Sequence, residues 1–246
     1  MRPDWRADVE AHADDEWTEE SFIVADSVVR LKYLRGNENW SMPRMGLHVW
    51  PGARLLLDDM AEHAAKYTRH RSFLVLGAGT GLEGLAFAAL CARSEGTIKR
   101  TVCLTDGAQM SCDLMADNVA LNAQTLQTDC IHVCKLIFGE AKDVEKLPMQ
   151  SGWDCVVICD STFSYELVPS VLQTIRWLEP STLIVCSVTG GAPAFERLAE
   201  GLESKSHGMR LVHPKVLPED LTSRAARKVV FQFEAINKQT IGIQQH

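Results

Sequence analysis

Leu74-Val75-Leu76-Gly77-Ala78-Gly79-Thr80-Gly81-Leu82 is the stretch on which the fold turns. The apolar run from Phe73 to Leu76 is too short for a helix and stops at a glycine, so it reads as a buried strand. Three glycines at alternate positions follow, and Leu82 to Ala92 then reads as an almost wholly apolar helix. Strand, glycine loop and helix form the unit with which an open α/β sheet offers backbone N–H groups and a positive helix end to a ligand. One glycine is enough for a tight turn that binds nothing. Three alternating ones favour a ligand approaching the main chain where no Cβ stands in the way.

Counted from Gly77, the dinucleotide fingerprint G-x-G-x-x-G fails at Leu82, and a phosphate loop of the form G-x-x-x-x-G-K-[ST] is absent. What remains is G-x-G-x-G followed by a second strand, Val102 to Thr105, with Asp106 at its carboxyl end. A carboxylate in that place can accept both hydroxyls of a ribose, as an adenosine-bearing ligand requires. Asp is also a favoured N-cap, so Asp106 has a second reading as the start of the next helix.

With these residues quoted, the chain resembles the seven-β-strand methyltransferases that use S-adenosylmethionine. More narrowly, it is similar to methyltransferase family sixteen, which consists largely of protein-lysine methyltransferases. The resemblance rests on Leu76 to Leu82, on Leu104-Thr105-Asp106 with Asn118 and Asn122 downstream, and on three further segments. His48-Val49-Trp50-Pro51-Gly52-Ala53 resembles the family's V-W-x-x-A, Leu136-Ile137-Phe138-Gly139-Glu140 its L-x-W-G-D, and Asp160-Ser161-Thr162-Phe163 its D-x-x-Y. The order of these pieces, from about Trp50 to the chain end, carries the specificity. The resemblance implies S-adenosylmethionine as cofactor, held by Trp50, Gly77, Ala78, Gly79, Gly81, Asp106, Phe138 and Cys159. It implies that Asp160 and Phe163 act on the acceptor amine. Three positions depart from the family: Val75 stands where a Glu is usual, Phe138 where a Trp is, and Phe163 where a Tyr is.

The remaining pattern predicts an α/β fold: a Rossmann-like seven-stranded methyltransferase sheet, mostly parallel with one antiparallel strand, helices on both faces, and an N-terminal β-hairpin extension. Residues 1 to about 20 are acidic and poor in aliphatics and read as a solvated arm, leaving 21–246 as one domain. Ser21–Val24 and Val28–Tyr33 are the hairpin strands, expected to add to the main sheet. The polar loop from Gly36 to Gly46 reads as a connector or as a flap over the ligand. Helices are expected over Ala53–Thr68, Gly107–Asn122, Leu167–Leu178 and Ala194–Lys205, and strands over Ile131–Ile137, Trp153–Asp160, Leu183–Val188, Met209–His213 and Val229–Phe233. Asn118 and Asn122 read as surface or helix-end residues. Phe138 can stack on adenine or fill the core, and Glu140 can meet the adenine amino group.

The chain has 246 residues, 46% of them hydrophobic, with a formal net charge of −7 and no basic block, which argues against a protein that tracks a nucleic-acid backbone. No apolar run is long enough to span a bilayer, and the N-terminus lacks a signal-peptide pattern, so no membrane partner is expected. Eight cysteines without a C-x-x-C pair read as reduced thiols of a cytoplasmic or nuclear protein, with no metal site. The expected partner is a protein presenting a lysine, met by a monomer. A small-molecule N-methyltransferase stays open. So does a binding protein with a decayed site, motivated by Val75 and Phe163.

Overall fold

The computed structural model describes residues 16–35, 42–93, 99–126, 130–162, 164–187, 192–204, 209–216 and 229–235. Strands β1 (Glu16–Val24) and β2 (Ser27–Arg35) pair antiparallel through a turn at Ala25 and Asp26, whose φ angles are 42° and 64°. Positive φ at both turn residues gives a twist that matches right-handed strands. Glu16 to Glu20, grouped with the acidic arm by composition, form the first half of β1. Residues 1–15 lie outside the described residues.

A 3₁₀ segment over Met42–Leu47 leads to α1 (Pro51–Glu62) and α2 (Ala64–Thr68), which the sequence pattern had joined as one helix. The break falls at His63 (φ −123°, ψ 40°). Inside the core the Tyr67 hydroxyl donates to Asp59 Oδ2 at 2.5 Å. Eight residues of straight helix span about 12 Å, so the break is what lets the two meet.

The rest alternates: β3 (Ser72–Leu76), α3 (Leu82–Ala92), β4 (Thr101–Asp106), α4 (Gln109–Leu121), β5 (Ile131–Lys135), α5 (Ala141–Val144), β6 (Cys155–Cys159), α6 (Val168–Leu178), β7 (Thr182–Ser187), α7 (Ala192–Glu203), β8 (Met209–Val216) and β9 (Val229–Ala235). The seven strands from β3 onward form one sheet in the order β5-β4-β3-β6-β7-β9-β8, with β9 antiparallel to both neighbours. Every residue of β3 and β6 is buried, as befits strands covered on both faces. Phe73 and Val75 pack in one apolar cluster with Leu56 of α1 and Leu85 of α3, while Leu74 and Leu76 pack in a second with Val171 of α6 and Leu198 of α7. The period-two alternation of a strand thus builds both layers at once.

The hairpin does not join this sheet but stands as a separate two-stranded one, contrary to expectation. Its β2 edge is met by side chains instead of a strand. Asn118 Oδ1 accepts from Lys32 N–H at 2.8 Å, and its Nδ2 donates to Lys32 O and to Thr80 O, each at 3.0 Å. One turn on, Asn122 Oδ1 accepts from Arg30 N–H at 2.9 Å, and its Nδ2 donates to Arg30 O at 2.7 Å and to Asn118 O at 2.8 Å. Both asparagines are buried, which overturns the surface reading, while Asn122 does stand at the helix end as the residue that closes α4. A carboxamide offers the donor and acceptor pair that a neighbouring strand would have offered.

Asn118→Ala leaves two carbonyls and one N–H without partners at a buried seam. Each buried orphan costs about 1–3 kcal/mol. We expect a loss of stability of about 3 kcal/mol or more in urea unfolding, with Asn118→Asp little better because it removes both donated bonds.

Candidate cofactor and active site

The strand order places β3 between β4 and β6, so the loops that follow these three strands open at one sheet edge. Ligands of open α/β sheets bind outside that edge, where the chain turns from one side of the sheet to the other. A cavity of about 560 Å³ lies there, lined among others by Trp50, Gly77, Ala78, Gly79, Asp106, Phe138, Cys159 and Asp160.

Gly79 has φ +52°, and a Cβ on it would come within 2.9 Å of the carbonyl oxygen of Gly46. The segment packed against the glycine loop is therefore Met42–Leu47, whose Met45 and Gly46 also line the cavity. That is the end of the expected polar flap; residues 36–41 lie outside the described residues. Gly81 has φ +84°, and a Cβ there would press on Leu104 and Met115. It is absent from the cavity wall, and its glycine serves the left-handed backbone just before α3 rather than a ligand.

Asp106 is not the N-cap of α4, a place taken by Ala108, but its carboxylate ends β4 on the cavity wall. Its Oδ2 accepts from Gly79 N–H at 3.1 Å and its Oδ1 from Ala108 N–H at 2.9 Å, which ties the two loops and opens α4. The Ser111 hydroxyl and the Gly107 N–H also bear on this carboxylate, which faces the cavity. Burial raises its pKa, while the N–H groups of Ala108 and Gly79 pull it back. Phe138 lies beside Gly77, with Leu136 and Ile137 on the same wall. Glu140 is not part of that wall and pairs with Lys142 at 3.3 Å.

Trp50 donates from Nε1 to Met45 O at 2.9 Å, so the indole braces the 3₁₀ segment while facing the cavity. Asp160, at φ 47°, turns its Oδ2 to the Gly52 N–H at 2.7 Å, which fastens the first turn of α1 to the end of β6. Ser161 places its hydroxyl within 3.2 Å of the carbonyls of Leu76, Gly77 and Cys159 and can donate to one of them. Phe163 lies outside the described residues.

The residue that sequence reasoning missed is Glu83. It lies in the first turn of α3, is 4% exposed, and faces the cavity. Its Oε2 has no hydrogen-bond partner among the described residues. Burial above all, and then the nearby Asp160 and Asp106 charges, push its pKa up to about 7 against the pull of its own backbone N–H and the Cys159 thiol. The signal was present: Glu83 is the one charged residue in the helix from Leu82 to Ala92, and a lone charge in an apolar helix is rarely idle.

The sequence matches the family model described as lysine methyltransferase over residues 30–190. The chain belongs to the lysine methyltransferase family. No curated protein matches it. Solved structures share its fold at low identity. A protein proposed to be an RNA methyltransferase of Pyrococcus horikoshii is 15% identical, covering 83% of this chain and 92% of its own, with TM-score 0.53. A protein described as a S-adenosylmethionine-dependent methyltransferase of Streptococcus mutans is 12% identical, covering 92% and 57%, with TM-score 0.54. Fibrillarin of Methanococcus jannaschii, a pre-rRNA processing protein, is 14% identical, covering 89% and 84%, with TM-score 0.50. At these identities the likeness is one of fold.

S-adenosylmethionine is the cofactor of this lysine methyltransferase family member, and the cavity suits it. Asp106 presents a carboxylate to it, an apolar flank of Leu136, Ile137 and Phe138 suits an adenine, and Glu83 Oε2 is a buried acceptor that meets no donor among the described residues. Three carboxylates line the cavity, and no lysine or arginine stands among its described lining residues. A sulfonium cofactor brings the positive charge that this wall lacks.

Two predictions follow from these carboxylates. Asp106→Ala removes a carboxylate from the cavity wall and the tie between two loops, and should weaken cofactor binding in calorimetry by about 1.5–3 kcal/mol. Glu83 has its folded pKa raised from 4.5 to about 7, so the folded state holds a proton that the unfolded state has released. Stability therefore falls as pH climbs from about 4.5 to 7 and is flat above. In the ligand-free protein, Glu83→Gln should be the more stable by about 1–3 kcal/mol at pH 8, with the advantage vanishing toward pH 4.5.

Proposed function

We propose that this protein transfers a methyl group from S-adenosylmethionine to the side-chain amine of a lysine in a protein substrate. The observation that carries the reading is the acidic cavity at the sheet edge, with Asp160 held beside it by the Gly52 N–H. The family description supports the same substrate class.

When bound, the cofactor supplies the activated methyl group, so the protein has only to place two reactants in line and keep water away. The glycine loop and Asp106 hold the nucleoside end. Trp50 and the Met42–Leu47 segment cover the cavity from the N-terminal side. An incoming lysine is an ammonium with a pKa near 10.4 in water and must reach the methyl group neutral. The carboxylates favour its arrival as a cation. Desolvation in a closed cavity then lowers its pKa, while Asp160 orients the nitrogen. The proton leaves to water or to the Asp160 carboxylate. No nucleophilic side chain is called for.

Tritiated-methyl labelling of a lysate with the purified protein tests the reading. Label should enter a protein and be recovered as methylated lysine after acid hydrolysis; label found only in RNA or in small molecules would overturn it. With the substrate in hand, Asp160→Asn keeps an acceptor for Gly52 N–H and should slow transfer by about 100-fold or more, with affinity for the cofactor product S-adenosylhomocysteine within about tenfold. Full activity in that variant would place the acceptor elsewhere.

A further inference from the structure

Val75 leaves this chain without the acid that the family usually carries at the end of the first central strand, yet a carboxylate enters the cavity from another element. Val75 belongs to the apolar cluster beneath α3, together with Leu82 and Leu85. Glu83, between those two leucines, turns its carboxylate toward the cavity instead of solvent. We propose that Glu83 replaces the missing acid and receives the α-ammonium group of the methionine part of S-adenosylmethionine through its unpartnered Oε2.

Three observations converge. The carboxylate is buried, and a buried acceptor without a partner costs free energy that a folded protein retains only for a reason. The groups facing it add no positive charge: Asp160 at the end of β6 and Asp106 at the end of β4 are acidic, the Cys159 thiol is held neutral by burial, and His48 is the one basic residue among the described lining. Among the described residues no donor meets Oε2, and a cationic ligand can supply one. S-adenosylmethionine and its demethylated product each carry one primary ammonium, whereas the nucleoside part carries none. The sulfonium has no N–H to donate, so the ammonium is the group that can both neutralise Oε2 and hydrogen-bond it.

This assignment rests on the cofactor and not on the acceptor. It is tested by calorimetry on wild type and Glu83→Gln with two ligands: S-adenosylhomocysteine, and its desamino analogue with hydrogen in place of the amino group. We expect Glu83→Gln to lose about 10- to 100-fold affinity for S-adenosylhomocysteine, the value of a charged hydrogen bond, and less than about threefold for the desamino analogue. Wild-type affinity for S-adenosylhomocysteine should rise about tenfold between pH 6 and pH 8 as the carboxyl ionises, and the Gln variant should lack that rise. Equal losses for the two ligands would assign Glu83 to shaping the cavity and overturn the proposal. Unchanged affinity in the variant would overturn it as well. Wild type that binds neither ligand would sink the cofactor site itself, a failure distinct from that of the Glu83 contact.

Discussion

The placement of β3 decides what the rest of the molecule can do. The chain leaves β3 on one side to make β4 and β5 and returns on the other to make β6 and β7. All these neighbours run parallel, so their carboxyl ends share one edge, and the helices that follow β3 and β6 pack on opposite faces of the sheet. A crevice at that point is forced by topology before any side chain is chosen. Side chains decide only what the crevice prefers.

Its walls are held by hydrogen bonds from side chain to backbone rather than by helices packed shoulder to shoulder. Asp106 joins Gly79 to Ala108, Asp160 joins β6 to Gly52, Ser161 reaches the strand end at Leu76, and Asn118 joins Thr80 to β2. Each closes a gap between segments far apart in sequence. Asn118 serves two segments at once, because it fixes the glycine loop and the separate hairpin with one carboxamide. The loops are thus set before a ligand arrives, which spares binding much of the cost of ordering them.

The sequence made the sheet legible because buried parallel strands are short, apolar and bounded by helices, and all seven expected strands of the main sheet are present. The glycine loop and Asp106 were legible because their chemistry is local. Missed features involve partners that sequence spacing cannot show. Asn118 and Asn122 resemble ordinary helix-surface residues until β2 is found alongside them. Gly81 has the spacing of a ligand glycine, yet its neighbours are Leu104 and Met115. The break at His63 lets Tyr67 reach Asp59 across a helix end, a contact that spacing along one straight helix does not suggest. Glu83 was passed over because an apolar stripe draws attention to its majority and not to the one residue that breaks it.

Burying that one residue has a thermodynamic consequence. Folding brings Glu83, Asp106 and Asp160 to one cavity without a lysine or arginine among its described lining, so the ligand-free protein carries like charge in a poorly solvated place. Near pH 7 it can relieve the strain only by keeping a proton on Glu83, the most deeply buried of the three. A cationic ligand relieves it differently, by supplying the missing charge and displacing that proton. Folding, protonation and cofactor binding are then linked: whatever binds the folded state alone stabilises it by mass action. A site tuned to hold a cation tightly should for the same reason be poorer at holding the product, which has lost the sulfonium charge while keeping the ammonium. The arrangement favours entry of the charged cofactor and departure of the neutral product, and it places that preference in the protein's own unbalanced carboxylates.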